Sequence, residues 1–283
     1  MKTKSVLLFL VVLLSLNFTT KAQHKPTPFY PSDTIWKRTV YRMIDLRFPR
    51  NGIMRYFEGA GYRSLMEILL SGLEDYGVDV YNDYIGGEFV NLLTLSEVYK
   101  RLGSRIDTIW SEDLDTGEPI MTIEKEPVSL GDIRLFMIIQ NYFFVKSNST
   151  FSSEIVAILP IRAYIKDTGG IDEEGNDEEG ELAYTDVGWF RFDQLRELLA
   201  GEKIKDPANE NKFSNYLSKF ETGNFDSFIV KINNNYGVGI AYYTIPNAEK
   251  DQVVTTQPNI DFMLESHRIE YELFNFEMNL WEY

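Results

Sequence analysis

A glycine-rich segment, Gly59 to Ser64, has residue types that can form a phosphate-binding loop. It reads GAGYRS, precedes a helical pattern, and is followed about twenty residues later by Asp79, as in dinucleotide-binding loops. That fingerprint needs a third glycine where this chain has Ser64, and it needs a strand before the loop, which the pattern lacks. We therefore interpret the segment as a plain loop that leads into a helix.

Asp113, Asp115 and Gly117 have the alternation that begins a calcium-binding loop. An EF-hand also needs a distal glutamate, and this segment is too short to supply one. Aspartate and glycine at the tip of a hairpin are explained equally by turn geometry. We interpret the segment as a turn. One functional hypothesis that remains is a calcium-dependent adhesion or interaction module, which would use this loop or the acidic loop at residues 172–181.

Histidine and cysteine chemistry has few candidate residues, because the chain has two histidines and no cysteine. A zinc or iron site needs several such ligands. A Ser-His-Asp arrangement would need His267, which the pattern of the last helix predicts to be packed, and the chain has no G-x-S-x-G motif. We expect no metal, no cofactor and no catalytic site.

Carboxylates and aromatic rings are the remaining source of catalytic chemistry. The chain has 43 acidic residues, so accidental carboxylate pairs are common, and aromatic residues make up 14% of it. Such residues line clefts that bind or cleave sugars. The aromatics follow the periodicity of helices and strands, which favours a role in the core or in an interface. An exported carbohydrate-binding or glycoside-cleaving protein is the alternative hypothesis.

Residues 1–22 have the pattern of a secretory signal peptide. Lys2 and Lys4 precede an apolar run from Val6 to Leu16, and Ala22 ends the segment with a small residue. The run is too short to span a membrane. The cysteine that would carry a lipid anchor is absent. We therefore expect an exported protein that has no lipid of its own.

The net charge narrows the class of partner. It is −15 at neutral pH, and loss of Lys2, Lys4 and Lys21 with the signal peptide changes it to −18. A charge of this sign repels nucleic acid and anionic lipid headgroups. We expect protein partners with basic or apolar surfaces, no nucleic acid and no direct membrane insertion.

Helical and strand patterns are mixed without the regular order of a parallel α/β protein, which predicts an α+β fold. We expect mixed helices and antiparallel hairpins around one main core, with a long C-terminal helix. The predicted helices are Arg63–Tyr76, Thr94–Gly103, Phe192–Leu199 and an amphipathic segment with Phe213, Tyr216, Leu217 and Phe220 on one face. The predicted hairpins span Ile106–Glu124, Ile133–Ile165 and Phe225–Ile245, and the second is expected to be the central pair of a sheet.

The domain organisation follows from composition. Residues 23–33 are rich in proline and polar residues, which predicts an extended arm. Residues 34–283 are predicted to form a single α+β domain. Residues 172–181 contain seven acids and two glycines, which is typical of a mobile loop. This loop could divide the domain into two lobes.

The closing helix carries two apolar stripes, and Asn259 is a candidate N-cap for it. Both stripes repeat at alternating steps of four and three residues, the spacing of a coiled-coil seam. The second is offset by two residues, about 200° of helical rotation. The first stripe is Ile260, Leu264, His267, Tyr271, Phe274, Met278 and Trp281; the second is Ile269, Leu273, Phe276 and Leu280.

A surface helix of an isolated domain needs only one apolar stripe. This helix is therefore sandwiched, either deep in its own domain or between that domain and another chain. We expect the longer first stripe to face the core and the second to face a partner. The expected interface comprises Ile269, Leu273, Phe276, Leu280, Trp281, Trp36 and Tyr41.

The segment from Leu273 to Tyr283 resembles the C-terminus of the GldN/PorN family of periplasmic proteins of type IX secretion and gliding motility. Further segments resemble the family in the same order along the chain: Ile35–Arg47, Ser64–Gly72, Tyr142–Phe144, Ile158–Ile161 and Trp189–Phe192. The chain departs from the family at Phe48–Asn51, at Asn141, where the family has an acid, and at Tyr142, where it has tryptophan.

This resemblance implies a non-enzymatic structural subunit of the periplasmic ring of the type IX secretion system. It implies tight association with an outer-membrane lipoprotein like GldK/PorK, and contact with motor components like GldL/GldM. It also implies self-association into a ring at the inner face of the outer membrane, where the lipoprotein holds the subunit.

The signal-peptide pattern makes a prediction about the mature protein. We expect it to begin at Gln23 without an acyl group, because cleavage should follow Ala22 and no cysteine is present to accept a lipid. The intact mass of the protein purified from cell envelopes measures both features. An acyl adduct or a retained leader would contradict the prediction.

Overall fold

The computed structural model describes residues 34–280 except 60, 105, 113–118, 126–127, 146–149, 167–179, 207–208, 234–238 and 245–258. The strands are β1 (Thr34–Asp45), β2 (Val80–Ile85), β3 (Glu88–Leu92), β4 (Ile106–Glu112), β5 (Pro119–Lys125), β6 (Ile133–Val145), β7 (Thr150–Lys166), β8 (Glu181–Asp186), β9 (Trp189–Arg191), β10 (Lys203–Asp206), β11 (Asn209–Asn215) and β12 (Phe228–Ile232). The helices are α1 (Leu65–Asp75), α2 (Leu95–Arg101), α3 (Phe192–Gly201), α4 (Tyr216–Glu221), α5 (Ile240–Thr244) and α6 (Ile260–Leu280).

The main sheet is antiparallel and has the order β12-β1-β6-β7-β9-β2-β3, with β8 also paired to β7. The long hairpin β6–β7 lies at its centre, as predicted. Pro160 of β7 has no N–H to donate, and it lies where the neighbour of β7 changes from β9 to β8. Strand β7 precedes residues 167–179 in the chain, strands β8 and β9 follow them, and all three belong to this one sheet.

Alternate residues of the central strand β6 belong to two different cores. Phe136 and Ile138 pack in a first core that includes buried residues of α1, α3 and α4. Met137 and Ile139 pack in a second core that includes buried residues of α5 and α6. A strand that is buried on both faces must be apolar at nearly every position, which explains the continuous apolar run of β6.

Helix α1 begins where the glycine-rich segment ends. The Ser64 hydroxyl accepts a hydrogen bond from the Glu67 N–H, and the Glu67 carboxylate accepts one from the Ser64 N–H. This capping box satisfies N–H groups that have no partner within the helix. The third position of the apparent fingerprint is therefore an N-cap, and a short 3-10 turn at Pro49–Met54 precedes the segment where a nucleotide-binding loop would have a strand.

The α+β class and the hairpins β4–β5 and β6–β7 are confirmed, and two local predictions are wrong. The return strand expected over Val238–Ile245 is replaced by α5, whose Ile240 and Ala241 are buried in the second core. Phe213 lies in β11 and not in the predicted helix, because Asn215 is the N-cap of α4 and the helix starts at Tyr216. At α5 tertiary packing overrides a local apolar pattern, whereas at Phe213 the local N-cap decides where the helix starts.

Several predicted features lie outside the described residues. These are the signal peptide, the arm over residues 23–33, the tip of the β4–β5 hairpin at residues 113–118 and most of the acidic loop over residues 172–181. The strands β4 and β5 that flank the tip are paired, as predicted.

The phenol of Tyr216 provides a test of the first core. It is fully buried and donates to the carbonyl oxygens of Ile53 (2.8 Å) and Arg63 (3.0 Å), and burial raises its pKa. We expect Tyr216→Phe to lower the free energy of unfolding by about 1–2 kcal/mol, because the carbonyls of Ile53 and Arg63 lose the donor that the buried phenol supplies. Urea denaturation measures this loss. Tyr271→Phe, at an exposed tyrosine, is the matched control, and equal losses in both variants would contradict the prediction.

Candidate interaction surface

Helix α6 begins at the predicted N-cap. The Asn259 side chain accepts a hydrogen bond from the Phe262 N–H at 2.8 Å and donates to the Thr244 carbonyl oxygen at 2.7 Å. The first bond satisfies a helix N–H that has no partner within the helix. The second attaches the start of α6 to the end of α5.

One stripe of α6 packs on the subunit, and we call it the inner stripe: Phe262, Ser266, Ile269, Leu273 and Phe276. Phe262 meets Phe228 of β12 edge-to-face, with ring centroids 5.9 Å apart. The Ser266 hydroxyl accepts the Ile229 N–H of the same strand at 2.8 Å. Strand β12 is at the end of the sheet, where N–H groups lack a neighbouring strand, so α6 protects this edge.

A buried arginine holds the middle of α6. Arg42 of β1 donates to the Glu270 carboxylate (2.9 Å), to the Tyr142 hydroxyl (3.0 Å) and to the Ser227 hydroxyl (3.3 Å). Burial lowers the pKa of Arg42, but Tyr142 and Glu270 outweigh that effect and leave the pKa above its ordinary value. The arginine therefore stays charged, and removing Glu270 would leave that charge without its carboxylate.

Aromatic rings hold the C-terminal part of α6. Phe276 stacks on Trp36 of β1 with centroids 4.4 Å apart and an angle of 25° between the rings. Phe151 of β7 contacts both rings, at 5.9 Å from Trp36 and 6.0 Å from Phe276. Such pairs add stability beyond the burial of their area.

The opposite stripe of α6 faces outward, and we call it the outer stripe: Ile260, Leu264, His267, Tyr271, Phe274 and Met278. Its apolar side chains are exposed by between 50% (Met278) and 78% (Ile260). The His267 side chain is 70% exposed. These residues follow one seam along the helix, which spans about 27 Å at 1.5 Å per residue.

The expected direction of the two stripes is therefore wrong. We expected the first stripe to face the core because it is longer, but the second extends back through Phe262 and Ser266 and has a similar length. Ser266 interrupts the apolar pattern of the second stripe. Its hydroxyl nevertheless places this stripe against β12, because it accepts the hydrogen bond from the Ile229 N–H. A pattern of apolar residues does not show this hydrogen bond, and that is why sequence reasoning missed it.

Two of the expected interface residues are buried in the subunit and three are partly buried there. Ile269 and Leu273 are 2% and 4% exposed, which leaves a partner almost no surface to contact, and Trp36 and Phe276 cover each other. Tyr41 is half-buried beside Trp189, and burial, with a smaller effect of Tyr84, raises its pKa to about 12. The side chains of Leu280 and Trp281 lie outside the described residues.

The flanks of the outer stripe are acidic. Helix α6 contains five acidic residues and one arginine, a surplus of four negative charges: Asp261, Glu265, Arg268, Glu270, Glu272 and Glu277. Arg268 is bound by Glu265, at 2.7 Å, and by Glu272. The hydrogen bond from Arg268 lowers the pKa of Glu265, so this carboxylate stays ionised.

The described residues contain no group of three or more His, Cys, Asp and Glu side chains arranged to hold a metal ion. His267 has Glu270 as its nearest carboxylate, at 3.8 Å, on an open helix surface.

Within the described part of the chain, no helix has the length and hydropathy needed to cross a membrane. The geometry of α6 is suited to binding another molecule through an apolar seam.

The two stripes make opposite predictions for charge substitutions. Phe276→Asp should lower the free energy of unfolding by roughly 3 kcal/mol or more, because the carboxylate would lie against Trp36 and Phe151. Phe274→Asp should change it by less than about 0.5 kcal/mol, because the side chain is 54% exposed. Thermal and urea denaturation of the purified variants measure both values. Equal stability of the two variants would contradict the assignment of the stripes.

No curated protein matches the chain significantly. The model of the family described as "Gliding motility associated protein GldN" matches residues 30–282, which is nearly the whole chain after the predicted signal peptide. The chain therefore belongs to the GldN family of gliding-motility-associated proteins.

Proposed function

We propose that this protein is a non-enzymatic structural subunit of the periplasmic ring of the type IX protein secretion system, and that it serves gliding motility through that machinery. The observation that carries the proposal is the outer stripe of α6. It is a row of exposed apolar side chains on a helix whose other side is already packed. Membership of the GldN family supports the gliding role.

The outer stripe supports binding because its exposure is unfavourable in water. Soluble monomers seldom expose contiguous apolar patches of this kind, and such patches mark interaction sites. Full burial of one large apolar side chain is worth about 1.5–3 kcal/mol relative to exposure. Covering Leu264, Tyr271, Phe274 and Met278 would therefore contribute several kcal/mol to association. The mechanism is scaffolding, in which binding energy holds an assembly together.

The proposed partners follow from the family resemblance. An outer-membrane lipoprotein like GldK/PorK would retain the subunit at the inner face of the outer membrane. Motor components like GldL/GldM would contact it from the periplasm. Copies of the subunit would associate into a ring, which requires head-to-tail contacts whose rotation closes.

The carbohydrate-binding alternative has less support from the described aromatic residues. Trp36, Phe151 and Phe276 stack on one another and close the gap between α6 and the sheet. A ring that binds sugar must instead present an open face in a cleft.

Expressing variants in cells that lack the native protein tests the proposed function. The double variant Leu264→Asp/Phe274→Asp should produce a folded subunit that no longer co-purifies with the lipoprotein, and secretion should be lost. The physical reason is that two carboxylates on the outer stripe must be desolvated for any partner to cover it. Co-purification from solubilised envelopes and a secretion assay measure the two effects.

The matched control is Asn275→Asp/Asn279→Asp, which adds the same charge to the same helix outside the outer stripe. It should retain the lipoprotein and secretion. The proposed function is wrong if the outer-stripe variant is folded, keeps the lipoprotein and restores secretion fully.

A further inference from the structure

The outer stripe has the spacing of a coiled-coil seam. Its members follow one another at steps of four and three residues from Ile260 to Met278. This spacing presents a continuous row of side chains to one neighbouring helix, and an irregular surface would not follow it. The fitting occupant is therefore a second helix with its own apolar row.

The residues beside the seam determine which helix fits. Glu270 already binds Arg42, and Glu265 and Glu272 share Arg268. Asp261 and Glu277 form no salt bridge with the described residues, and both lie beside the seam. In a coiled coil these flanking positions meet the flanks of the partner helix and select it by charge.

A second copy of α6 fits this surface poorly. Each copy would bring Asp261 and Glu277, which form no salt bridge with the described residues, to the contact, and Arg268 is already occupied by its own glutamates. Like charges facing each other across an interface are unfavourable and suppress that pairing. The same flanks favour a helix that carries lysine or arginine.

We propose that the outer stripe binds an amphipathic helix of a different protein, apolar at heptad spacing and flanked by lysine and arginine. This inference rests on the proposed function and specifies the partner's chemistry at that site. The apolar row supplies affinity, and the acidic flanks supply selectivity. Ring contacts between copies of the subunit would then use other surfaces.

A crosslinking experiment in cells identifies the segment that covers the outer stripe. A photoreactive phenylalanine derivative at Phe274, or at Tyr271, replaces an exposed ring with a similar one in the full chain. The proposal expects crosslinks to a helical segment of another protein with apolar heptads and basic flanks, located by mass spectrometry. Crosslinks to a second copy of this chain, or to a segment with acidic flanks, would overturn it.

Synthetic helices test the charge selectivity on the purified protein. The probe peptide has leucine at the heptad positions and lysine at the flanks. One control peptide has glutamate at the flanks, and another keeps the lysines but has serine at the heptad positions. We expect the probe to bind about tenfold or more tightly than either control, and Phe274→Asp to weaken it about tenfold. Fluorescence anisotropy measures the affinities.

A charge reversal completes the test. Asp261→Lys/Glu277→Lys changes two flanking acids that form no described salt bridge, and it should shift the preference toward the glutamate-flanked peptide. Equal binding of the lysine- and glutamate-flanked peptides to the unsubstituted protein would overturn the selectivity. Equal binding of the serine peptide would show that charge alone acts and would also overturn the proposal.

These outcomes separate the inference from the proposed function. If Leu264→Asp/Phe274→Asp abolishes secretion but the crosslinked segment has acidic flanks, the scaffold role stands and the inference fails. If the probe peptide binds selectively but the same variant secretes normally, the surface has the proposed selectivity and the scaffold role fails.

Discussion

The structure depends on a central hairpin that is apolar on both faces. Neighbouring residues of β6 belong to different cores, as Phe136 and Met137 do, so both faces of the sheet must be covered. Helices α1, α3 and α4 cover the first face, and α5 and α6 contribute to the second core. This requirement explains why a helix at the far end of the chain, α6, is tied to β1, a strand near its start.

Three different interactions hold helix α6 against the sheet, at three positions along the helix. Ser266 satisfies an N–H at the end of the sheet, Arg42 binds Glu270 in the middle, and Phe276 stacks on Trp36 near the C-terminus. A helix fixed at three points has a defined rotation about its axis. Its other face therefore points in a fixed direction into the solvent, and a helix that is already ordered loses less entropy on binding.

An apolar row with acidic flanks can recognise another protein without carrying out a reaction. Scaffold subunits need this property, because an assembly is held by many contacts, each of moderate strength. Leu264 and Phe274 would supply affinity through burial, and Asp261 and Glu277 would select the partner by charge. Membership of the GldN family associates the chain with gliding motility.

The sequence by itself determined the α+β class, the central hairpin and the N-cap at Asn259, because these depend on local periodicity and on hydrogen bonds between near neighbours. It also showed that the last helix has two apolar stripes. Only the tertiary structure decided which stripe is buried. That choice depends on contacts between residues far apart in the chain, Ser266 with Ile229 and Glu270 with Arg42, which helical periodicity does not encode. For the same reason the run after Gly239 folds as α5 and not as a strand, since Ile240 and Ala241 are buried in the second core.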